Sequence, residues 1–128
     1  SPLVDVMFMA ELKNFLLTAG HDWETIQEPL TIDVAKGTER YVKINGEEQE
    51  LKAGDMMISD ARGVISCILH GPDQRTQITP TTKEVLYTVY APLGVGENMA
   101  RKHLHDIQSY ILLLKPDASI ESLAVLSA

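Results

Sequence analysis

Apolar residues recur at helical spacing near the start of the chain. They are Val4, Phe8, Leu12, Phe15 and Leu16. Polar residues occupy the opposite face, which is typical of an amphipathic helix. Pro2 fits the first turn of such a helix, and Gly20 fits the left-handed residue that follows its end. The pattern therefore predicts a first helix from about residue 3 to residue 18.

A second helical pattern lies near the other end of the chain, over residues 97–114. Its apolar stripe consists of Ala100, Leu104, Ile107, Ile111 and Leu114. Lys115 and Pro116 follow directly, and proline ends helices because it lacks a backbone N–H. The remaining tail predicts an edge strand, or a segment docked on the sheet, through Ile120, Leu123, Val125 and Leu126.

Short apolar or alternating runs between the two helices predict about six strands. These are residues 30–34, 40–44, 49–51, 56–59, 64–69 and 85–90. The first alternates apolar and polar side chains, as a half-buried strand does. Asn45 and Gly46 predict a hairpin because both residues tolerate positive φ. The run over 64–69 is almost wholly apolar, so we expect it to be a central strand.

The order of these elements predicts an α+β fold. We expect a mostly antiparallel sheet or β-sandwich-like core with two packed helices. A chain of 128 residues is expected to form a single domain over residues 1–128. Because the first predicted helix begins almost at the first residue, we also expect that an N-terminal segment is missing.

Composition and charge narrow the class of protein. The 45% of apolar residues are ordinary for a globular domain. A net charge of -7 argues against sequence-independent nucleic-acid binding, and we expect no DNA partner. No apolar run is long enough for a membrane span, so no membrane partner is expected. The lone Cys67 is compatible with a reducing cytoplasm.

The segment over residues 71–82 predicts a recognition loop between two strands. Loops of this length without their own secondary structure are uncommon and usually functional. Arg75 is the only arginine in it, and two interpretations of this residue stay open. It could bind a carboxylate or phosphate, with Thr76 and Thr79 adding hydroxyl groups. Alternatively, it forms an internal salt bridge to Asp60 or Asp73.

The four histidines differ in what their positions predict. His21 follows the predicted helix end, where it could orient a water as a base or simply interact with the helix dipole. His70 lies where a strand enters the loop, on the rim of a pocket or in a simple hydrogen bond. His103 and His105 are two apart in a helix and point to different sides, so we expect a solvated face there. We therefore predict no metal site and no cofactor.

The order of features from Asp60 onward resembles a known family. An acidic turn and an apolar strand precede R-T-x-I-T-x-x-T, which begins at Arg75, and V-L-Y, which begins at Val85. PLVDVMFMAELKN and AGHDWETI match the family's first helix and following turn. Together they resemble the B3/B4 domain of the phenylalanyl-tRNA synthetase beta chain, and most of all its small stand-alone relatives.

The resemblance implies editing, which is hydrolysis of tRNA charged with tyrosine in place of phenylalanine. It places the catalytic histidine on His21, within reach of a cleft shared with the loop. The substrate-binding residues would be Asp60, His70, Gly71, Asp73, Arg75, Thr76 and Thr79. The family's glycine pair falls near Gly71 and Pro72, and a family glutamate falls on Thr88.

Function and partners follow from the same resemblance. We expect the domain to bind aminoacyl-tRNA or a free amino acid, with trans-editing ester hydrolysis as its reaction. No ligase activity is expected of this chain alone. The alternative is a non-catalytic amino-acid-sensing or protein-interaction module, which Thr88 and the acidic charge favour. Formation of a homo-oligomer is left open.

Overall fold

The computed structural model describes residues 1–91 and 94–119. Its elements are α1 (Pro2–Asn14), β1 (Leu17–Asp22), a short 3-10 helix (Trp23–Thr25), β2 (Thr31–Val34), β3 (Arg40–Val42), β4 (Glu48–Glu50), β5 (Met56–Asp60), β6 (Gly63–Cys67), β7 (Gly71–Pro72), β8 (Val85–Tyr90) and α2 (Glu97–Leu114). The predicted α+β class is confirmed. The apolar tail that includes Ile120 and Leu123 lies outside the described residues.

The strands form three small sheets. One has the order β2-β5-β6-β7 with antiparallel neighbours, the second is the antiparallel hairpin β3-β4, and the third pairs β1 with β8. The predicted central strand is confirmed as β6, although it ends at Cys67. The half-buried character predicted for β2 is wrong, because this edge strand is exposed along its whole length.

The chain divides into two compact units. The first contains residues 1–18 and the described part of 87–128, and the second contains residues 19–86. In the first unit α1 packs against α2 through a small core of Val6, Ala10 and Ile107. The second unit has its own core, formed by Ala35, Tyr41, Leu51, Met57, Val64 and Cys67. The single-domain organisation stays a prediction.

Helix α1 ends earlier than its sequence pattern predicts. Its C-cap is Phe15, which has a left-handed backbone with φ 58°. Gly20, the predicted stop, instead lies inside β1. The predicted apolar stripe is wrong at Leu12, which is 78% exposed, and at Phe15, which is 88% exposed, whereas Leu16 is buried as predicted. The buried side chains are those of Val6, Met7 and Ala10. Two apolar stripes exist on this helix, and periodicity alone could not choose between them.

Helix α2 has the predicted bounds, residues 97–114. Its buried side chains include Ala100 and Ile107, as the stripe predicts, but also His103. Leu114, the last residue of the predicted stripe, is exposed. The predicted solvated position of His103 is therefore wrong, whereas His105 is exposed as expected. Neither described helix combines the length and apolar character that a bilayer span requires.

The hairpin predicted at Asn45 and Gly46 is confirmed. Strands β3 and β4 pair with Val42 opposite Glu48, and Gly46 has φ 86°. The Lys43 N–H donates to the Glu47 carbonyl, and the Gly46 N–H donates to the Lys43 carbonyl. This pattern of a turn followed by a left-handed glycine is a common hairpin connection.

The recognition loop is partly ordered as sheet, contrary to its predicted lack of secondary structure. Strand β7 pairs with β6, so that Gly71 lies opposite Cys67 and Pro72 opposite Ser66. Asp73 then forms an isolated bridge with Lys43. A two-residue strand containing proline has no periodicity, so its sequence gave no sign of it. The pairing fixes the start of the loop beside the hairpin β3-β4.

Candidate functional site

His21 lies on β1 and is fully buried, with 0% of its surface exposed. The prediction that it leaves a helix end is therefore wrong, because α1 already ends at Asn14 and His21 lies within the strand that follows. Its Nδ1 lies 2.8 Å from the Thr76 hydroxyl oxygen. The neighbouring Asp22 N–H donates to the Thr76 carbonyl at 2.7 Å. Strand β1 and the recognition loop are thus joined at His21 and Thr76.

The hydrogen bonds around Thr76 determine the tautomer of His21. The Thr76 hydroxyl donates a short hydrogen bond to Asp73 Oδ1, and a carboxylate can only accept. The hydroxyl has one hydrogen, so His21 Nδ1 must donate to the Thr76 oxygen. Nε2 of a neutral His21 then carries the lone pair. Within the part of the chain that the structure describes, this buried atom has no hydrogen-bond partner.

Burial determines the charge state of His21. Removal from water lowers the pKa of His21 to about 4, against a smaller opposing effect of the Asp60 charge. The ring is therefore neutral at pH 7, with a free acceptor nitrogen inside the protein. Buried polar atoms without partners are rare in folded proteins and call for an explanation.

Asp60 and Arg75 form a bidentate ion pair. Arg75 donates to the two Asp60 oxygens at 2.9 Å and 2.7 Å, and the Asp60 side chain is 0% exposed. Burial would raise the pKa of Asp60, but hydrogen bonds from Arg75, Gln27 and Arg62 outweigh it and lower the pKa to about 2. The structure thus contains the internal ion pair, one of two interpretations left open for Arg75. Ligand binding by Arg75 stays a prediction.

Asp73 connects the histidine to the ion pair. One of its oxygens accepts from Thr76, and the other lies 3.9 Å from Arg75 Nε. Burial raises the pKa of Asp73, and hydrogen bonds from Thr76 only partly oppose this effect. The result is a continuous polar chain from His21 through Thr76 and Asp73 to Arg75 and Asp60.

A second network orders the end of the loop. The Thr82 hydroxyl donates to Asp22 Oδ2 at 2.9 Å, and the Thr79 N–H donates to the Thr82 hydroxyl at 2.9 Å. Thr79 thereby shapes the loop backbone, while the buried Asp22 is a residue that the sequence analysis missed. An aspartate at the end of a strand resembles any turn aspartate, so its sequence carried no distinguishing signal.

A cavity of about 320 Å³ opens beside this polar chain. Its lining residues are Arg40, Tyr41, Val42, Arg62, Gly63, Val64, Asp73, Gln74 and Arg75. The volume lies at the lower end of the range for small-molecule pockets. Of the predicted site residues, Asp73 and Arg75 line it, while Thr76 and Asp60 are not in the lining but are hydrogen-bonded to Asp73 and Arg75, respectively. His21 is also absent from the lining and contacts Thr76.

Other predicted site residues lie apart from the cavity lining. His70 is exposed at the turn before β7, and Gly71 belongs to that strand. Thr88 lies on β8, and its buried hydroxyl has no partner among the described residues. Arg40 and Arg62 were missed because they belong to hairpins outside the loop, and only the packed fold brings them beside it. The described residues contain no cluster of three or more potential metal ligands.

Comparison with known proteins gives consistent results. The family model described as the B3/4 domain matches residues 1–112. The phenylalanine–tRNA ligase beta subunit of Tropheryma whipplei (strain Twist) is 26% identical over 106 residues, which are 81% of this chain and 11% of that protein. The same subunit of Mycoplasma genitalium (strain ATCC 33530 / DSM 19775 / NCTC 10195 / G37) is 26% identical over 69 residues, 54% of this chain and 9% of that protein. The chain thus spans about a tenth of the length of these curated relatives.

A solved structure shows the same fold. The crystal structure of an N-terminal fragment of the phenylalanyl-tRNA synthetase beta-subunit from Pyrococcus horikoshii matches with a TM-score of 0.73 at 17% identity. The match covers 85% of this chain and 38% of that one. At this identity the likeness concerns the fold alone.

Proposed function

Because the chain belongs to the B3/4 domain family, we propose that it binds the aminoacyl group of an aminoacyl-tRNA, or a free amino acid, in the cavity beside the recognition loop. The observation that carries this proposal is the cavity of about 320 Å³ lined by the loop residues Asp73 and Arg75. An aminoacyl group carries an ammonium, and a carboxylate is its natural partner. Asp73 would supply that carboxylate.

The relatives support a tRNA-linked substrate. They are beta subunits of phenylalanine–tRNA ligase, and this chain matches about a tenth of their length. Their ligase activity therefore does not transfer to this chain alone. A tRNA partner and a cytoplasmic location stay predictions, as do the other predicted site residues His70 and Gly71.

The test compares charged with uncharged tRNA. Equilibrium binding of phenylalanine- and tyrosine-charged tRNA should be tighter than binding of the same uncharged tRNA, and calorimetry would show whether the free amino acids bind. Asp73→Asn should reduce the preference for charged tRNA, since it removes the carboxylate charge that would face the ammonium. Asp117→Asn is the matched control, because Asp117 is exposed. Equal affinities for charged and uncharged tRNA, with no binding of amino acids, would refute the proposal.

Hydrolytic editing is the second candidate. It is favoured by the buried His21 Nε2, an acceptor nitrogen that has no partner in the described residues. The other ring nitrogen, Nδ1, is hydrogen-bonded to Thr76, which is in turn hydrogen-bonded to Asp73. A base of this kind could position a water for attack on an aminoacyl ester. His21 has no exposed surface and the family's glutamate position holds Thr88, so binding is the better supported function.

Deacylation of mischarged tRNA decides between the two candidates. If the domain edits, the intact protein releases tyrosine from the tRNA for phenylalanine, and both His21→Ala and His21→Asn slow that release. Thr81→Ala is the control, because Thr81 is exposed in the same loop. If the His21 variants deacylate at the rate of the intact protein, His21 has no part in the reaction. If none of them deacylates, the domain is a binding module.

A further inference from the structure

The arginines that line the cavity differ in how their charges are compensated. Arg75 is held by Asp60 through two hydrogen bonds of 2.9 Å and 2.7 Å. Arg40 contacts Glu48 and Glu50 across the hairpin β3-β4. Arg62 forms no ion pair and no side-chain hydrogen bond within the described residues. The cavity therefore has a cation at its lining whose charge the described protein does not neutralise.

The backbone around Arg62 is fixed by the ion pair of the candidate site. Asp60 Oδ1 accepts the Arg62 N–H at 2.9 Å and also a hydrogen bond from Arg75. Arg62 lies in the turn between β5 and β6, where Asp60 pairs with Gly63. Gly63 has φ 140°, a backbone conformation that favours glycine. One buried carboxylate thus positions two arginines at the same cavity.

An exposed guanidinium at a ligand-sized cavity, with no carboxylate partner among the described residues, can bind an anion. An aminoacyl ester has no free carboxylate, because that group is bonded to the ribose. The anions that such a ligand brings are the phosphates of the RNA to which the aminoacyl group is attached. We infer that Arg62 is the phosphate-binding residue of the cavity and contacts a phosphodiester near the 3′ end of the bound RNA. This inference rests on the proposed function and adds a second subsite to it.

The acidic charge of the chain favours a small subsite, and we expect it to contact one or two phosphates. The net charge is -7, and Glu48 and Glu50 flank Arg40 on the same side of the hairpin. For single-stranded RNA the slope of log affinity against log salt is about -0.7 per phosphate contacted. We therefore expect a shallow slope of about -0.7 to -1.4, unlike the steep slope of a basic RNA-binding surface.

The experiment measures binding of uncharged tRNA and of its tyrosine-charged form at several salt concentrations. Arg62→Ala should weaken binding of both about tenfold and reduce the salt slope by about 0.7. Arg62→Lys should restore part of the affinity, since it keeps the charge but loses the forked geometry. Arg101→Ala is the matched control, because it removes the same charge from α2 outside the cavity lining. Arg62 is exposed in a turn, and thermal melting would verify that each variant is folded.

The outcomes separate this subsite from the proposed function. Equal affinities and salt slopes of Arg62→Ala and Arg101→Ala would overturn the phosphate subsite while leaving aminoacyl recognition intact. Loss of free amino-acid binding in Arg62→Ala, with tRNA binding unchanged, would assign Arg62 to a carboxylate and also overturn it. If Arg62→Ala weakens tRNA binding but charged and uncharged tRNA bind equally, the subsite stands and aminoacyl recognition fails.

Discussion

At the scale of single residues, His21 shows how burial changes the protonation of a histidine side chain. Its Nδ1 donates to Thr76, and its Nε2 holds a buried lone pair without a partner in the described residues. A histidine in this state resists protonation, because the charged form would lose its hydration. The residue therefore links the stability of the protein to pH, whether or not it takes part in a reaction.

We expect acid to destabilise the protein through His21. The folded pKa of His21 is about 4 against 6.5 for an unperturbed histidine, so the unfolded chain binds its proton first as the pH falls. The effect begins below about pH 6.5 and is complete near pH 4, and at pH 5 it amounts to about 2 kcal/mol. Urea unfolding at pH 7 and pH 5 would measure it. His21→Asn should remove most of the difference.

The exposed His105 supplies the control for this pH dependence. His105→Asn should leave the loss of unfolding free energy between pH 7 and pH 5 unchanged. An equal loss in the protein with His21 and in the His21→Asn variant would contradict the assignment of the effect to His21.

Substitution of Arg75 measures how much the internal ion pair with Asp60 contributes to the free energy of unfolding. We expect Arg75→Ala to lower the free energy of unfolding by about 3 kcal/mol or more, because the Asp60 carboxylate would stay buried without its partner. Arg101→Ala removes an exposed pair with Glu97 and should cost less than about 1 kcal/mol. Urea unfolding of both variants at pH 7 compares the two. Similar losses would mean that Asp60 is solvated.

At the scale of elements, a polar junction joins the two helices of the first unit. His103 on α2 lies 2.6 Å from the Thr18 hydroxyl and 3.2 Å from the Asn14 amide nitrogen. The same amide donates to Asp106 at 2.9 Å. Because an amide nitrogen only donates, His103 Nδ1 accepts and its Nε2 donates to Thr18. Burial lowers the pKa of His103, the Asp106 charge partly opposes it, and the ring fits this network in its neutral form.

Asn14→Ala should show the contribution of this junction. It leaves His103 Nδ1 buried without its donor, so we expect a loss of about 1 to 3 kcal/mol in the free energy of unfolding. Asn98→Ala changes the same residue type at an exposed site in the first turn of α2 and should be nearly neutral. Thermal or urea unfolding measures both variants. An equally small effect of Asn14→Ala would show that water can replace the amide.

The elements predicted correctly were those whose own residues carry a clear sequence pattern. Helix α2 has one apolar stripe and a terminating proline, and the hairpin β3-β4 has Asn-Gly at its turn. Errors in the bounds and existence of elements fall where two local patterns compete or where none exists. Helix α1 carries two apolar stripes, and β7 has only two residues, one of them proline.

At the scale of the whole molecule, the acidic charge dominates the behaviour in solution. The net charge is -7 at pH 7, and the isoelectric point is near 4.9. Repulsion between copies is therefore strong at neutral pH and disappears on mild acidification. The acid-linked loss of stability at His21 falls in the same pH range.

We expect solubility to be lowest near pH 4.9 and aggregation to rise between pH 6 and pH 5. Two causes of aggregation add in this pH range: the net charge approaches zero, and the fraction of unfolded chains increases. Light scattering during a pH titration measures the effect. His21→Asn should delay aggregation, whereas His105→Asn removes a histidine at an exposed site and should not. Constant scattering from pH 7 to pH 4 would contradict this expectation.

The sequence by itself determined the α+β class, the second helix, the hairpin and the resemblance to the B3/4 family. These depend on local periodicity, turn residues and the order of motifs, which are properties of neighbouring positions in the chain.

Only the tertiary structure decided which face of α1 is buried and that His21 lies on a strand, hydrogen-bonded to Thr76. It also brought Arg62 and Arg75 to one cavity through their shared contact with Asp60. The physical reason is that burial and pairing depend on contacts between residues far apart in the chain. A sequence pattern records which side chains are apolar or charged, but the packed fold selects their partners.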